Sequence, residues 1–153
     1  MMIEWCRTHL NVRPPTRGNP SDAGLDIYFS PANNQSVVVT PGESVLLSTG
    51  LRFGVPHGYM LEVKNRSSVA AKRSLVVGAC VIDSGYDGEV FVNLHNIGTD
   101  TQVVEPHTKI AQVVMTPVVH FRALERRGDG DLYSWYPITI SDRGDGALGS
   151  TGE

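Results

Sequence analysis

Short apolar runs rich in β-branched residues recur along this chain, and turn residues separate them. The clearest runs cover residues 37–39, 45–47, 51–55, 59–63, 90–94 and 110–115. Glycine, proline and asparagine interrupt the pattern at intervals of about 8 to 15 residues, as in antiparallel all-β domains. The pattern therefore predicts an all-β fold, either a sandwich or a barrel.

One segment, residues 67–75, has the composition of a short helix. Two serines precede small and apolar residues, which predicts a helix that begins at a serine cap and makes two turns. The first turn would present free N–H groups beside Arg66, where an anion can bind. An anion site and an ordinary capped surface helix are both open interpretations.

A predicted β-hairpin over residues 78–90 is a candidate for chemistry. An apolar strand ends in Asp83, and Tyr86 follows before Gly88 turns the chain into the next strand. A carboxylate at this turn can take a proton from water, and the tyrosine ring can pack against a sugar or base. Taken alone, the same residues are also consistent with a polar turn that has no chemical role.

An aspartate, Asp26, interrupts an otherwise apolar predicted strand. A carboxylate inside an apolar strand needs a partner, because burial without one is costly. We expect that partner to be a backbone donor or a metal-bound water.

The C-terminal residues 143–153 are rich in glycine and have almost no apolar surface with which to fold alone. Arg143 can pair with phosphate, and the glycines let successive N–H groups point at one anion. A tail that closes over a polyphosphate and a disordered polar tail are both open. We expect a core over residues 1–142 and a flexible tail over residues 143–153.

Size and charge narrow the class of protein. The chain has 153 residues, enough for one domain with a sizeable core. A formal net charge of −3 argues against a general nucleic-acid binder, and no apolar run is long enough to span a bilayer. Cys6 and Cys80 form no disulfide framework, and the histidines lack metal-ligand spacing. We expect a cytoplasmic protein, or one of the host cytoplasm if its source is viral, without nucleic-acid or membrane partners.

Taken in order, these segments resemble the five motifs of the trimeric dUTPase family across nearly the whole chain. They are AGLDI at 23–27, NRSSVA at 65–70, VIDSGYDGEV at 81–90, KIAQ at 109–112 and RGDGALGSTG at 143–152. One match can arise by chance, whereas five in order are highly specific. The resemblance implies a distorted jelly roll with one short helix, assembled as a homotrimer whose active sites are each shared by three subunits.

The same resemblance implies hydrolysis of dUTP to dUMP and diphosphate with Mg²⁺ on the phosphates. Asp83 would activate the attacking water, Tyr86 would pack under the deoxyribose, and Asp26 would hold a metal-bound water. The main chain from Gly78 to Val81 would read the uracil edge. The residues expected to contact phosphates or close over the substrate are Arg66, Ser67, Ser68, Gln112, Arg143, Gly144, Leu148, Gly149, Ser150 and Thr151.

Some positions depart from the family pattern. Leu148 stands where a phenylalanine commonly stacks on uracil, and Ser68 and Cys80 replace glycines. We expect these changes to affect affinity and base selection more than the type of reaction.

Two rival functions stay open. The dCTP deaminases share a similar core, but their essential glutamate corresponds here to Asn93, which cannot serve as a base. A non-catalytic dUTP-binding regulatory protein is the second rival, although it would have no chemical need for Asp83, Tyr86 and Arg66 together. A partner-binding role can also coexist with catalysis.

Overall fold

The computed structural model describes residues 1–128, 130–133 and 145. Contacts divide the chain into two compact units, Met1–His120 and Phe121–Glu153. All regular elements of the described residues lie in the first unit. In the second unit, Arg126 donates a hydrogen bond to the carbonyl of Asp131 at 3.2 Å.

The described residues form strands and one short helix, which confirms the predicted all-β class. In chain order the elements are β1 (Trp5–Arg7), β2 (Gly24–Tyr28), β3 (Val37–Val39), β4 (Ser44–Ser48), β5 (Leu51–Phe53), β6 (Tyr59–Lys64), α1 (Ser67–Arg73), β7 (Leu75–Val77), β8 (Val81–Ile82), β9 (Phe91–Asn96), β10 (Gln102–Val104) and β11 (Lys109–Pro117). The six apolar runs correspond to β3, β4, β5, β6, β9 and β11, with boundaries shifted by one or two residues, whereas β1 has no counterpart among them.

Two larger sheets carry the candidate site, and every ladder in them is antiparallel. The four-stranded sheet has the order β2-β11-β6-β8, and the three-stranded sheet has the order β4-β9-β7. Strands β1 and β5 form a separate pair, as do β3 and β10. Strand β11 pairs with both β2 and β6, so it lies between the strand that carries Asp26 and the strand that leads into α1.

Alternation along the strands builds the core. In β9, Val92 and Leu94 are fully buried, while Phe91 points outward and is 41% exposed. Successive side chains of a strand lie on opposite faces, so one face packs inside and the other is available for binding. The same core includes Ile27 and Leu47, which come from both larger sheets.

The helix departs from the sequence prediction at its start. The residue that precedes it is Arg66, whose backbone is extended and whose side chain makes no capping bond. The predicted serine cap is therefore wrong, since Ser67 is already the first helical residue. The helix is held by Val69, its one buried residue, and it ends before Leu75, which begins β7.

Residues 83–90 do not connect the two strands of a hairpin, contrary to the sequence prediction. Strand β8 pairs with β6, whereas β9 pairs with β4 and β7. The segment therefore crosses from the four-stranded to the three-stranded sheet; we call it the 83–90 connection. A strand–turn–strand pattern predicts the strands and the turn, but the pairing partner depends on the whole sheet.

The part of the chain that is described contains no helix both long and apolar enough to cross a lipid bilayer. Cys6 and Cys80 are free thiols, the first exposed and the second half-buried.

Candidate active site

A polar cleft of about 300 Å³ lies beside the start of α1. It is lined by residues that carry charge, hydroxyl or amide groups, together with a loop that precedes β2: Gly18, Asn19, Asp22, Asp26, Arg66, Ser67, Lys109 and Gln112. Four of the sequence-predicted site residues, Asp26, Arg66, Ser67 and Gln112, are thus brought together by three different motifs.

Asp26 is the central charge of the polar cleft. Its Oδ1 accepts a bond from Arg66 Nε at 2.8 Å, and its Oδ2 lies 3.0 Å from Lys109 Nζ. The Asp26 side chain is only 15% exposed, so solvent screens these contacts less than it would on an open surface. The expectation of a backbone donor or metal-bound water as its partner missed these two cations.

A β-bulge explains how Lys109 reaches this cleft. The pairing of β11 with β2 shifts register between Lys109 and Ala111, and both Ile110 and Ala111 are buried. Regular alternation would place Lys109 and Gln112 on opposite faces of the strand, because they are three positions apart. The extra buried residue of the bulge puts both side chains on the outward face. Gln112 lies directly opposite Asp26 in the β2–β11 ladder, so the two side chains are neighbours across the strands.

The start of α1 adds donors to the cleft. Ser67 and Ser68 occupy the exposed first turn, where backbone N–H groups have no partner within the helix. Gln112 Nε2 donates to the carbonyl of Asn65 at 3.0 Å, which ties β11 to the segment that leads into the helix. The polar cleft therefore offers hydroxyl and cationic donors around one carboxylate, a set suited to phosphate oxygens.

A second cleft, of about 260 Å³, is mainly apolar and lies between β8 and β9. Its lining combines main chain and apolar side chains with two carboxylates: Leu46, Val63, Ala79, Cys80, Val81, Ile82, Asp83, Tyr86, Glu89, Val90 and Phe91. We call it the apolar cleft. Tyr86 and Phe91 are its two aromatic residues, and both are more than 40% exposed.

The main chain of the apolar cleft is fixed from both sides. The carbonyl of Cys80 accepts a bond from Val63 N at 2.7 Å, and Gly78 N donates to the carbonyl of Asn93 at 2.9 Å. A Cβ added at Gly78 would lie 2.2 Å from Asn93 Oδ1 and 2.5 Å from His95 Nε2. Glycine at this position allows the main chain just after β7 to approach β9 closely, and that approach sets the position of residues 78–81.

Asp83 and Tyr86 lie at the mouth of the apolar cleft. Tyr86 N donates to the carbonyl of Asp83 at 3.2 Å, and the Tyr86 hydroxyl donates to the carbonyl of Glu89 at 2.8 Å. Asp83 is exposed, and within residues 1–128 its carboxylate has neither a hydrogen-bond donor nor a cation as partner. A carboxylate of this kind is available to act on water or on a ligand.

The two clefts lie far apart within one chain. Ile82, next to Asp83, pairs with Leu61, whereas Asp26 lies in the row of Gln112 and Lys64. Strands β2 and β8 are three inter-strand spacings apart, roughly 14 Å, and Lys64 lies roughly 10 Å beyond Leu61 along β6. Asp83 and the cations around Asp26 therefore cannot meet at one small group of atoms from the same chain.

Other predicted site residues and metal ligands can be placed only in part. Arg143, Gly144, Leu148, Gly149, Ser150 and Thr151 lie outside the described residues. Among the residues that are described, no group of three or more histidine, cysteine or carboxylate side chains could enclose a metal ion. A metal bound by these residues would need ligands from water or from a substrate.

Sequence reasoning missed three residues that shape the site. Lys109 lies within a recognised motif, but the β-bulge that changes the direction of its side chain cannot be recognised from the local sequence. Arg52 binds Asp87, 35 residues away, through its side chain. Asn93, considered only as a missing base, accepts a bond from Ala79 N at 3.4 Å and so supports the main chain of the apolar cleft.

A cleft of phosphate-type donors and a separate cleft with exposed aromatic rings are the features expected of a protein that binds a nucleotide. Comparisons with known proteins define the family. A family model described as dUTPase matches residues 11–152. The deoxyuridine 5'-triphosphate nucleotidohydrolase of Chlamydia trachomatis serovar L2 is 32% identical over 152 residues, with 97% of each chain covered. The chain therefore belongs to the dUTPase family.

Solved structures agree on the fold. A mutant dUTPase of Staphylococcus bacteriophage 80alpha, with dUpNHpp, matches with a TM-score of 0.82 at 24% identity, covering 99% of both chains. A mutant dUTPase from phage phi11 of S. aureus matches with a TM-score of 0.76 at 23% identity, covering 86% of this chain and 100% of that one. The predicted jelly-roll fold is confirmed by this likeness.

Proposed function

We propose that this protein hydrolyses dUTP to dUMP and diphosphate. The observation that carries the proposal is the position of Asp83 and Tyr86 together at the mouth of the apolar cleft, in a member of the dUTPase family. Removal of dUTP and supply of dUMP for dTMP synthesis would be its metabolic role. Such a role fits a protein of the cytoplasm, because nucleotides are made and consumed there.

Asp83 is the proposed general base. Its exposed carboxylate has no competing partner among the described residues, so it can accept a proton from the attacking water. The water oxygen forms a bond to the α-phosphorus while the bond from that phosphorus to the α,β-bridging oxygen breaks. Diphosphate leaves, and the proton remains on Asp83 until solvent removes it.

The apolar cleft is the proposed site for the nucleoside. The main chain from Gly78 to Val81, held by bonds at Gly78 N and at the Cys80 carbonyl, would present its remaining donors and acceptors to the uracil edge. Tyr86 would pack under the deoxyribose, and its hydroxyl is already bound to the carbonyl of Glu89, which holds the ring in place. A deoxyribose packed on a ring held in this way would leave no room for a 2′-hydroxyl.

The polar cleft is the proposed site for the phosphates. Arg66, Ser67 and Gln112 line it, and Ser68 is exposed beside it in the first helical turn. Positioning and charge neutralisation are the main tasks in phosphoryl transfer, and these donors can perform them. The tail residues that would close over the bound triphosphate are Arg143, Gly144, Leu148, Gly149, Ser150 and Thr151.

The residues of the polar cleft fit Mg²⁺ that is bound through water and substrate. Each carboxylate oxygen of Asp26 contacts one cationic side chain in this structure, so lone pairs on both oxygens remain for a bond from a metal-bound water. Mg²⁺ usually keeps several waters and takes its other ligands from substrate phosphates, where it neutralises charge. The phage phi11 dUTPase structure describes the coordination of a structural Mg(II) ion in that protein.

A homotrimer with shared active sites is proposed from the separation of the two clefts. Asp83 and Arg66 serve the same reaction in this mechanism, yet they lie too far apart within one chain. A neighbouring subunit that brings its polar cleft to the apolar cleft of the first removes this conflict. Cyclic symmetry then builds three equivalent sites.

The test is diphosphate release from dUTP, dCTP, dTTP and UTP with Mg²⁺, comparing the wild type with Asp83→Asn. We expect release from dUTP alone and a fall of about 10²–10⁴-fold in the variant. Ammonia from dCTP would support the deaminase instead. Binding of dUTP without release by the wild type would support the non-catalytic regulatory protein.

A further inference from the structure

Three side chains from outside the 83–90 connection hold its second half. Arg52 Nη2 lies 2.5 Å from Asp87 Oδ1, and Arg52 Nε donates to the carbonyl of Asp87 at 2.7 Å. Glu89 Oε1 accepts bonds from Ser48 Oγ at 2.8 Å and from Thr8 Oγ1 at 3.3 Å. The segment is thus fastened at Asp87 and again at Glu89.

Tyr86 rests on this fastened segment. A Cβ added at Gly88 would lie 2.4 Å from the Tyr86 hydroxyl oxygen and 2.6 Å from the adjacent ring carbon, so the ring lies directly against Gly88. The Tyr86 hydroxyl donates to the carbonyl of Glu89. Arg52 grips the peptide that joins Asp87 to Gly88, and any displacement of that peptide moves the surface under the ring.

The contacts of Arg52 suit a role in geometry better than a role in stability. The Arg52 and Asp87 side chains are 37% and 85% exposed, and exposed ion pairs contribute little to folding. The hydrogen bond and charge of Asp87 raise the pKa of Arg52, so the guanidinium stays charged at every relevant pH. Its planar fork fixes a carboxylate and a carbonyl at once, which a point charge cannot do.

We propose that Arg52 is a positioning residue that holds Tyr86 in the orientation that excludes ribonucleotides. The inference rests on the proposed function, because it assigns Arg52 to the sugar selection of that same site. Arg52 touches no substrate atom in this scheme and acts through the Asp87–Gly88 peptide. Small displacements of a positioned group are costly in an active site, so loss of Arg52 should loosen selection.

The experiment compares kcat and KM for dUTP and UTP in the wild type, Arg52→Met, Arg52→Lys and Arg73→Met. Arg73 is a matched control because it also makes one Nε bond and one Nη2 bond, to Gln102 and Val103, away from the 83–90 connection. For Arg52→Met we expect the preference for dUTP over UTP to fall roughly tenfold, with KM for dUTP raised and kcat changed less. Arg52→Lys should recover part of the preference, and Arg73→Met should match the wild type.

An Arg52→Met protein with wild-type preference for dUTP and a wild-type thermal midpoint would overturn the inference while leaving the proposed function intact. A wild type that releases no diphosphate from dUTP would overturn both. If Arg52→Met fails to fold, Asp87→Asn provides the second variant. It keeps the bond from Arg52 Nε to the carbonyl, so it should show a smaller loss of preference; no loss would again overturn the inference.

Discussion

Asp26 and Arg66 are separated by 40 positions in the sequence and are joined by a 2.8 Å bond from Nε to Oδ1. Lys109 takes the other oxygen of the same carboxylate. One aspartate in β2 therefore orients a cation before α1 and a cation at the start of β11. The arrangement of positive charge in the polar cleft depends on Asp26 even before any ligand binds.

Replacing Asp26 with asparagine should lower stability by about 2 kcal/mol, because two partly buried cations lose a charged acceptor. Urea denaturation of Asp26→Asn against the wild type measures this change. Asp22→Asn is the matched control, since Asp22 is exposed and, among the described residues, its carboxylate bonds only to Asn19 in its own loop. The control should stay within about 0.5 kcal/mol of the wild type. Equal effects of the two substitutions would show that the Asp26 pairs contribute nothing specific.

Gly78→Ala should displace the main chain of the apolar cleft. The new Cβ would meet Asn93 Oδ1 and His95 Nε2, so the strand must move away from β9, and overpacking of this kind costs about 1–3 kcal/mol. KM for dUTP should rise with the loss of stability, because residues 78–81 are the proposed reader of the base. Denaturation and steady-state kinetics on the same preparation check both effects.

Gly54→Ala is the control for that substitution. The nearest atom to its added Cβ is a backbone oxygen at 3.7 Å, an ordinary contact, and its backbone is not left-handed. We expect a change within about 0.5 kcal/mol and an unchanged KM. If Gly54→Ala weakened dUTP binding as much as Gly78→Ala, the close approach at Gly78 would have no special role.

Sequence patterns predicted the longer strands but not which strands pair with one another. The alternation in residues 59–63 and the apolar run in 110–115 predict β6 and β11 because side-chain period and β-branching are local properties. The partner of β8 is set by packing across the sheet, which is why the 83–90 connection was mistaken for a paired hairpin. Local rules also predicted a serine as the helix cap, whereas Arg66 occupies the cap position and Ser67 is the first helical residue.

The candidate site was predictable where its motifs are contiguous. Three site residues are recognisable from local sequence because a polar or aromatic side chain is unexpected at their positions in a strand or turn: Asp26, Asp83 and Tyr86. Lys109 and Arg52 are not, because a bulge places Lys109 on the outward face of β11 beside the polar cleft, and a partner 35 residues away fixes Arg52. Contacts of this kind arise only when the strands have been assembled.

Mg²⁺ should bind this protein appreciably only together with nucleotide. The described residues contain no cluster of three metal-ligating side chains, and we expect substrate phosphates to complete the coordination. Calorimetric titration with Mg²⁺ should give saturable heat in the presence of dUpNHpp and none without it. Asp26→Asn should weaken Mg²⁺ binding to the nucleotide complex by about tenfold, as loss of an outer-shell partner does. Tight binding to the nucleotide-free protein would point to a separate metal site.

Shared active sites should allow two inactive variants to complement each other. Asp83→Asn removes the proposed base in the apolar cleft, and Arg66→Gln removes a phosphate contact in the polar cleft. If these residues serve one site from different subunits, some sites in a mixed trimer contain an intact Asp83 and an intact Arg66. An equimolar mixture, unfolded and refolded together, should then regain roughly one quarter of wild-type activity through random assembly.

The matched control pairs Asp83→Asn with Tyr86→Ala. Both residues line the apolar cleft of the same chain, so no subunit in that mixture contributes an intact nucleoside site. We expect no recovery from this pair under identical refolding conditions. Recovery there would mean that Asp83 and Tyr86 act from different subunits. No recovery with Arg66→Gln, from variants that refold to trimers, would place the whole site within one chain and overturn the shared arrangement.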